Sequence, residues 1–465
     1  MHTRSTRRTI LGALLLLALP TPGVTACAAE PAAAPAPAQA RPLSLAELAE
    51  LAVADDPAVA ADARTRLRAA GPAGLAALLA RHPAAPPAPA AAPSGALARL
   101  LGLSPGTAAD TREADALDSV CAQKDCAAAR LYWYTDLAAA RDAARASGKP
   151  ILSLRLLGDL TDELSCANSR FFRALLYPDP TVGAILREQF VLHWQSERPA
   201  PKITIDLGDG RSVETTITGN SVHYVLDAAG RPVDALPGLV EPAVFADGLR
   251  RAGALARAAA ALEGEAFAAV VRRHHEARLG ALVRAWDDEM RAIGQPSRTP
   301  PQPRLAAPEP APRAGRAAPI AVGKMAVEAP LLRGLGEPVE TLSEAELFER
   351  LADRHAPAVG LSDASLAMIR EQQWRTGDPA RDAAELAEAL AALRRAVALD
   401  TLRNEYDLHK QIHQRFVAAA AQDLEPLNRW LYSELFLTPR GDPWLGLASP
   451  TIYSGLPGGG RRVRI

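Results

Sequence analysis

Three groups of side chains in this chain have the types and spacing to do chemistry. The first is Cys166, which opens the run Cys166-Ala167-Asn168-Ser169. Ser165 before it and Asn168-Ser169 after it suit a helix entry, and Phe171-Phe172 with Leu175-Leu176 give that helix an apolar face. A thiol at a helix N-terminus meets free backbone N–H groups and the positive end of the macrodipole, both of which favour the thiolate. The second group is Cys121 and Cys126, within reach of a local disulfide if the segment bends. The third is Glu405, His409 and His413, which fall at i, i+4 and i+8 and project from one helical face. Two histidines four residues apart are a ligand spacing used by zinc, copper and haem sites, so this face is a candidate metal site. The same face also reads as packing, its Leu, Ile and Phe buried while the histidines hydrogen-bond. His274 and His275 are adjacent and point in different directions, and His193 and His223 lie on inferred strands at the edge of a core.

Several chemistries are missing. The chain holds no Gly-rich phosphate loop, no His-Glu-x-x-His helix, no Gly-x-Ser-x-Gly elbow and no Cys-x-x-Cys-His haem site. With 52 basic and 53 acidic residues the net charge is −1, which gives nucleic acid no basic face to bind. No cofactor is implied.

The first residues imply a compartment. Arg4, Arg7 and Arg8 precede the apolar run Ile10 to Leu19, which is too short to span a bilayer and reads as a secretory signal. Val24-Thr25-Ala26-Cys27 resembles a bacterial lipobox, which would make Cys27 the lipidated first residue of the mature chain. Thr6-Arg7-Arg8-Thr9-Ile10-Leu11 also resembles a twin-arginine signal. Cleavage near Ala28 or Ala29 by the general signal peptidase is the rival reading. An exported chain sits in an oxidising compartment, where Cys121, Cys126 and Cys166 cannot all pair within one molecule.

The elements that must position these residues follow from pattern. A helix is predicted from Thr135 to Ser147, closed by Gly148, and a strand over Ile151 to Leu157. A polar loop then delivers Cys166 to its helix, and Phe190 to Trp194 forms the next strand. Ile203 to Ile205 and Val213 to Ile217 flank Gly208-Asp209-Gly210 as a hairpin, Ser221 to Asp227 is a further strand, and a closing helix starts at Glu241.

This order, with the Gly148-Lys149-Pro150 approach to the first strand and the Asp227-x-x-Gly230 turn, resembles the periplasmic branch of the thioredoxin-like family. The separation of Cys166 from Phe190 matches that between the family's first active-site cysteine and its Phe-Val strand. The resemblance places Cys166 at the nucleophile position and Ser169 at the second-cysteine position. Three departures accompany it: Ser165 replaces the aromatic residue before the cysteine, Ser221 stands where a cis-proline is expected, and the loop Gly158 to Ser165 is longer. A Cys-x-x-Ser motif lacks the thiol that releases a mixed disulfide by intramolecular attack.

The fold class expected is an α/β thioredoxin-like domain flanked by mainly α-helical N- and C-terminal regions. Its parts are a signal peptide with lipobox over 1–27, an Ala/Pro tether over 28–42, and a HEAT-like helical segment over 43–82. A linker follows over 83–94, then a helical segment with the cysteine pair over 95–130 and the thioredoxin-like domain over 131–250. A helical extension over 251–293, a Pro-rich linker over 294–335 and a helical domain over 336–465 complete the chain. Three functional readings follow. In the first, an envelope protein is either a redox-silent binding platform for other envelope proteins or a weak monothiol that exchanges with protein thiols through Cys166. In the second, an active thiol-disulfide oxidoreductase uses Cys121 or Cys126 as resolving thiol. In the third, a metal-binding envelope protein uses Glu405, His409 and His413. Membrane attachment in each is through the lipid on Cys27.

Overall fold

The computed structural model describes residues 41–81, 108–216, 220–295, 342–372, 377–436 and 438. The residues read above as a signal peptide with lipobox, Cys27 among them, most of the expected tether and of the two expected linkers, the start of the helical segment expected over 95–130 and the C-terminal tail lie outside these residues. From Ser44 onward the described residues form one compact unit. No helix among them is long and apolar enough to cross a membrane.

Helices α1 (Leu45–Leu51), α2 (Pro57–Ala69) and α3 (Pro72–Arg81) start where the sequence supplies caps. Ser44 and Glu47 form a reciprocal capping box, and Asp56 accepts from the backbone of Ala58 and Val59 just before Pro57. Helices α4 (Ala108–Cys121) and α5 (Cys126–Ala129) complete a small core containing Leu48, Leu67, Leu75, Leu78, Leu117 and Val120. This bundle docks through the Leu131 to Tyr134 cluster: Tyr132 donates to Arg68 O at 2.9 Å, and the Arg68 guanidinium donates to Trp133 O.

The second core surrounds a sheet. Its strands are β1 (Trp133–Tyr134), β2 (Ile151–Leu157) and β3 (Val191–Arg198), then, after the separate hairpin of β4 (Lys202–Asp206) and β5 (Ser212–Thr216), β6 (Ser221–Leu226) and β7 (Pro232–Pro237). The five-stranded order is β1-β3-β2-β6-β7, with β1, β3 and β2 parallel and β6 and β7 antiparallel to their neighbours. Strand β2 is buried at every position, as its unbroken apolar run requires of a central strand covered on both faces. Its one charged residue, Arg155, is paired with Glu197 at 3.1 Å and Glu425 at 2.7 Å. Helix α6 (Leu137–Ser147) enters β2 through Gly148, whose φ of +70° ends the helix in the left-handed region. The parallel return from β2 to β3 runs through α7 (Ala167–Phe171), a π-helical turn and α8 (Pro180–Gln189).

Strands β1 and β7 were not anticipated from sequence. β7 is bounded by Pro232 and Pro237, which read as breakers but are tolerated on an edge strand. Its hairpin with β6 turns at Gly230, with φ +88°, and Asp227 receives both the backbone N–H and the guanidinium of Arg231.

The remaining helices are α9 (Pro242–Ala259), α10 (Gly264–Ala292), α11 (Leu342–His355), α12 (Asp363–Gln372), α13 (Pro379–Arg403), α14 (Lys410–Ala418) and α15 (Leu424–Trp430). A π-helical turn over Asn404–His409 joins α13 to α14, and another over Leu431–Leu435 follows α15. These helices share the sheet's core: Trp286, Tyr406, Ile412, Phe416 and Phe436 are continuous with Leu154, Tyr224 and Phe245. Polar ties cross the same seam, including Tyr224 to Asn428 at 3.0 Å and the Glu241 N–H to Thr401 at 2.8 Å. The architecture is thus an α/β sheet region with extensive flanking helices.

Candidate functional site

Cys166 sits where β2 hands over to α7. The chain turns at Gly158 (φ +82°), winds through the Asp159 to Ser165 loop, and returns so that the Cys166 N–H bonds Leu157 O at 3.2 Å. Cys166 is the N-cap residue of α7, as its place before Asn168-Ser169 predicted. Its sulfur lies 3.3 Å from Ser221 Oγ at the start of β6 and 3.6 Å from Ser169 Oγ. Ser169 Oγ is held in turn 2.7 Å from Cys166 O and 2.6 Å from Ser165 Oγ. The thiol therefore lies between the hydroxyls of Ser169 and Ser221 within the apolar core, with Ser165 behind Ser169, and its relative exposure is 0%.

Two segments close over this place. Thr216, at the end of β5, accepts from Arg170 at 2.7 Å and reaches back to Ser165 O. On the other side, the buried amide of Asn220 donates to Phe436 O at 3.4 Å and Thr438 Oγ1 at 3.1 Å, while Tyr432 donates to Asn220 O at 3.3 Å. Asn168, next but one to Cys166, is fully buried, and neither of its amide atoms has a hydrogen-bond partner among the described residues.

Cys121 and Cys126 lie within bonding distance of each other, with Cα atoms 6.2 Å apart. They frame a loop in which Ala122 and Asp125 both adopt positive φ. That loop docks on the sheet region, Gln123 accepting from Trp133 Nε1 at 2.7 Å and Ala122 O from Trp194 Nε1 at 2.8 Å. The structure thus pairs these two cysteines with each other and sets Cys166 against two hydroxyls within an apolar core.

The second candidate lies at the seam between β7, α10 and α14. Glu405, His409 and His413 share one helical face and touch in turn, as their spacing predicted, but among the described residues the donors that converge are Asp234, His275 and His413. His409 Nδ1 faces Glu405 Oε1 at 3.1 Å, and its Nε2 faces Asp234 Oδ1 on β7 at 3.2 Å. His413 Nδ1 lies 2.7 Å from Nδ1 of His275 on α10, and His275 Nε2 meets Val233 O at 2.9 Å. The His275 ring stacks on Phe416 with centroids 4.4 Å apart, and the rings of His409 and His413 lie 4.1 Å apart. Asp234, His275, His409 and His413 are all buried.

The electrostatics follow from burial and from two carboxylates. Burial opposes charge on His409, but Asp234 and Glu405 outweigh it and hold the imidazolium up to about 9. Burial would raise Asp234, yet His409, with His275 and His413 behind it, keeps that carboxyl well below the usual range. Glu405 is lowered in the same way, its hydrogen bond from His409 overcoming desolvation. Burial pushes His275 down to about 4, and burial together with the His409 charge pushes His413 down as well. One charged imidazole is thus clamped between carboxylates beside two neutral ones. Asp234, His275 and His413 each offer a ligand atom, all within 4.8 Å of one another, a donor set suited to a divalent ion.

Sequence reasoning missed Asp234 and set aside His275. The first signal was available: an aspartate between Val233 and Ala235-Leu236 is out of place in an apolar stretch unless something pairs with it. For His275 there was none, since only the packing of α10 on α14 distinguishes it from half-buried His274. Of the other histidines, His193 pairs with Ser153 at 2.8 Å and His223 with Tyr177 at 2.9 Å, both in the core.

Comparison with known proteins gives no match. No family model, no curated protein and no solved structure matches this chain.

Proposed function

We propose that the chain is an exported, lipid-anchored protein of the cell envelope, in which a thioredoxin-like domain serves as a redox-silent platform for binding other envelope proteins. The strand order, with parallel β1, β3 and β2 followed by antiparallel β6 and β7, supports the fold reading, as does the start of α7 at Cys166 directly after β2. Arg4, Arg7, Arg8, the apolar run after them and Val24-Thr25-Ala26-Cys27 support export and lipidation.

The observation that carries the silent reading is the burial of Cys166. Thiol-disulfide exchange needs a thiolate that can approach a disulfide sulfur, and a buried thiol walled by hydroxyls offers no such approach. Release of a mixed disulfide needs a second thiol. Ser169 cannot supply one, and Cys121 and Cys126 are engaged with each other. Partners then bind the outer helices rather than the thiol.

The test is alkylation of the folded full chain carrying Cys27→Ser, using iodoacetamide across a range of pH and reading each cysteine by peptide mass spectrometry. Cys166 should react in the folded protein orders of magnitude more slowly than in the unfolded one. Rapid alkylation of the native protein with a midpoint well below the free-thiol value of about 8.5 would overturn the reading in favour of monothiol exchange.

A further inference from the structure

We propose that Asp234, His275 and His413 form a zinc site that pins α10 and α14 to the edge strand β7. The site is independent of whether Cys166 is reactive.

Convergence is the first argument. The three donors come from three elements far apart in sequence, yet their ligand atoms lie within 4.8 Å of one another in a buried place. An ion held at about 2.0–2.2 Å by nitrogen and oxygen ligands needs those atoms only ~3–3.5 Å apart, which small side-chain rotations supply. The tautomer of His275 is the second argument. Val233 O can only accept, so His275 Nε2 carries the proton and Nδ1 presents a lone pair toward His413 and Asp234. Metal-ligating histidines are oriented by just such a bond from the other ring nitrogen to a backbone carbonyl.

His409 is not a ligand here, because carboxylates engage both of its ring nitrogens. It serves with Glu405 as the outer support that orients the Asp234 carboxylate, so the ligand set spans three elements rather than one helical face. Two imidazoles and one carboxylate are a borderline donor set, matching zinc rather than calcium or magnesium.

The experiment uses the tag-free full chain. Metal content is measured after purification without added metal, and again after unfolding in chelator and refolding with Zn²⁺ or Co²⁺. Roughly one zinc ion per chain is expected, with a higher Tm for the zinc-refolded protein and a visible cobalt spectrum of nitrogen and oxygen ligation. The His275→Gln/His413→Gln double variant and Asp234→Asn should each lose the metal. If those variants do not fold, the wild-type measurements decide alone. Wild-type protein that holds well under one equivalent and takes up neither ion on refolding overturns the proposal. So does stoichiometric metal that persists in the folded double variant.

Discussion

Replacing Asn220 with Ala should expose Cys166 without touching it. The Asn220 side chain is buried beside Ser221, whose hydroxyl lies 3.3 Å from the Cys166 sulfur, and it donates to Phe436 O and to Thr438 Oγ1. These two bonds tether the end of the C-terminal helical region over the start of β6. At about 0.5–1.5 kcal/mol net for each bond, and at the lower end for lengths of 3.4 and 3.1 Å, their loss costs about 1–2 kcal/mol. If local opening of this cover limits access to the thiol, and reclosing outpaces alkylation, the reaction rate follows the open population. That population should rise roughly 5- to 30-fold. The assay is native-state alkylation of Cys166 in the wild type and Asn220→Ala, with urea unfolding of both to give the change in global stability. Tyr432→Phe, which removes the bond to Asn220 O, should move the rate the same way by a smaller factor. An unchanged alkylation rate in Asn220→Ala, despite a measurable loss of global stability, would refute the reasoning. The thiol would then be protected by the sheet core and not by the C-terminal cover.

Two further perturbations address the core. Burial lowers His223 to about 3 from an unfolded value of about 6.5, so the unfolded chain binds the proton first. Stability from this group, complete above about 6.5, is lost as pH falls toward the folded value, by about 2.5 kcal/mol between pH 6.5 and 4.5. His223→Gln, still able to bond Tyr177, should flatten the acid limb of urea-derived stability by about that amount, and an identical limb would sink the assignment. The Cys121 to Cys126 bridge closes a short loop, so Cys121→Ala/Cys126→Ala should cost about 2 kcal/mol in chain entropy. That variant should leave the reactivity of Cys166 unaltered; a changed rate at similar global stability would instead mean that the pair communicates with the thiol.

What could be read from the sequence is what neighbouring residues decide. The stop at Gly148, the apolar run of β2, the Gly208-Asp209-Gly210 hairpin and the placement of Cys166 at the start of a helix are all local. Each is fixed by chemistry within a few residues, so spacing and residue type suffice. Strand β7 was hidden because its two prolines argue against a strand and only its edge position permits them. With β7 unseen, the signal that Asp234 gave, a carboxylate within an apolar stretch, had no element to attach to.

The rest was out of reach because its partners are distant along the chain. His409 meets Asp234 across 175 residues, His413 meets His275 across 138, and Tyr224 meets Asn428 across 204. All three lie on the seam between the sheet and the C-terminal helices. Arg155 with Glu425, and Asn220 with Phe436 and Thr438, lie there too. A hydrophobic seam would have been simpler to build, since a buried ion pair is weak evidence for net stability. Buried polar groups do, however, penalise any docking that leaves them unpaired. This seam therefore admits the C-terminal helices in one register, with His413 opposite His275 and Asn220 beneath Phe436. The same register that assembles the Asp234, His275 and His413 donors also lowers the cover beside Cys166. A single event, the docking of α13 to α15 on the sheet, should consequently lower access to the thiol and raise occupancy of the metal site.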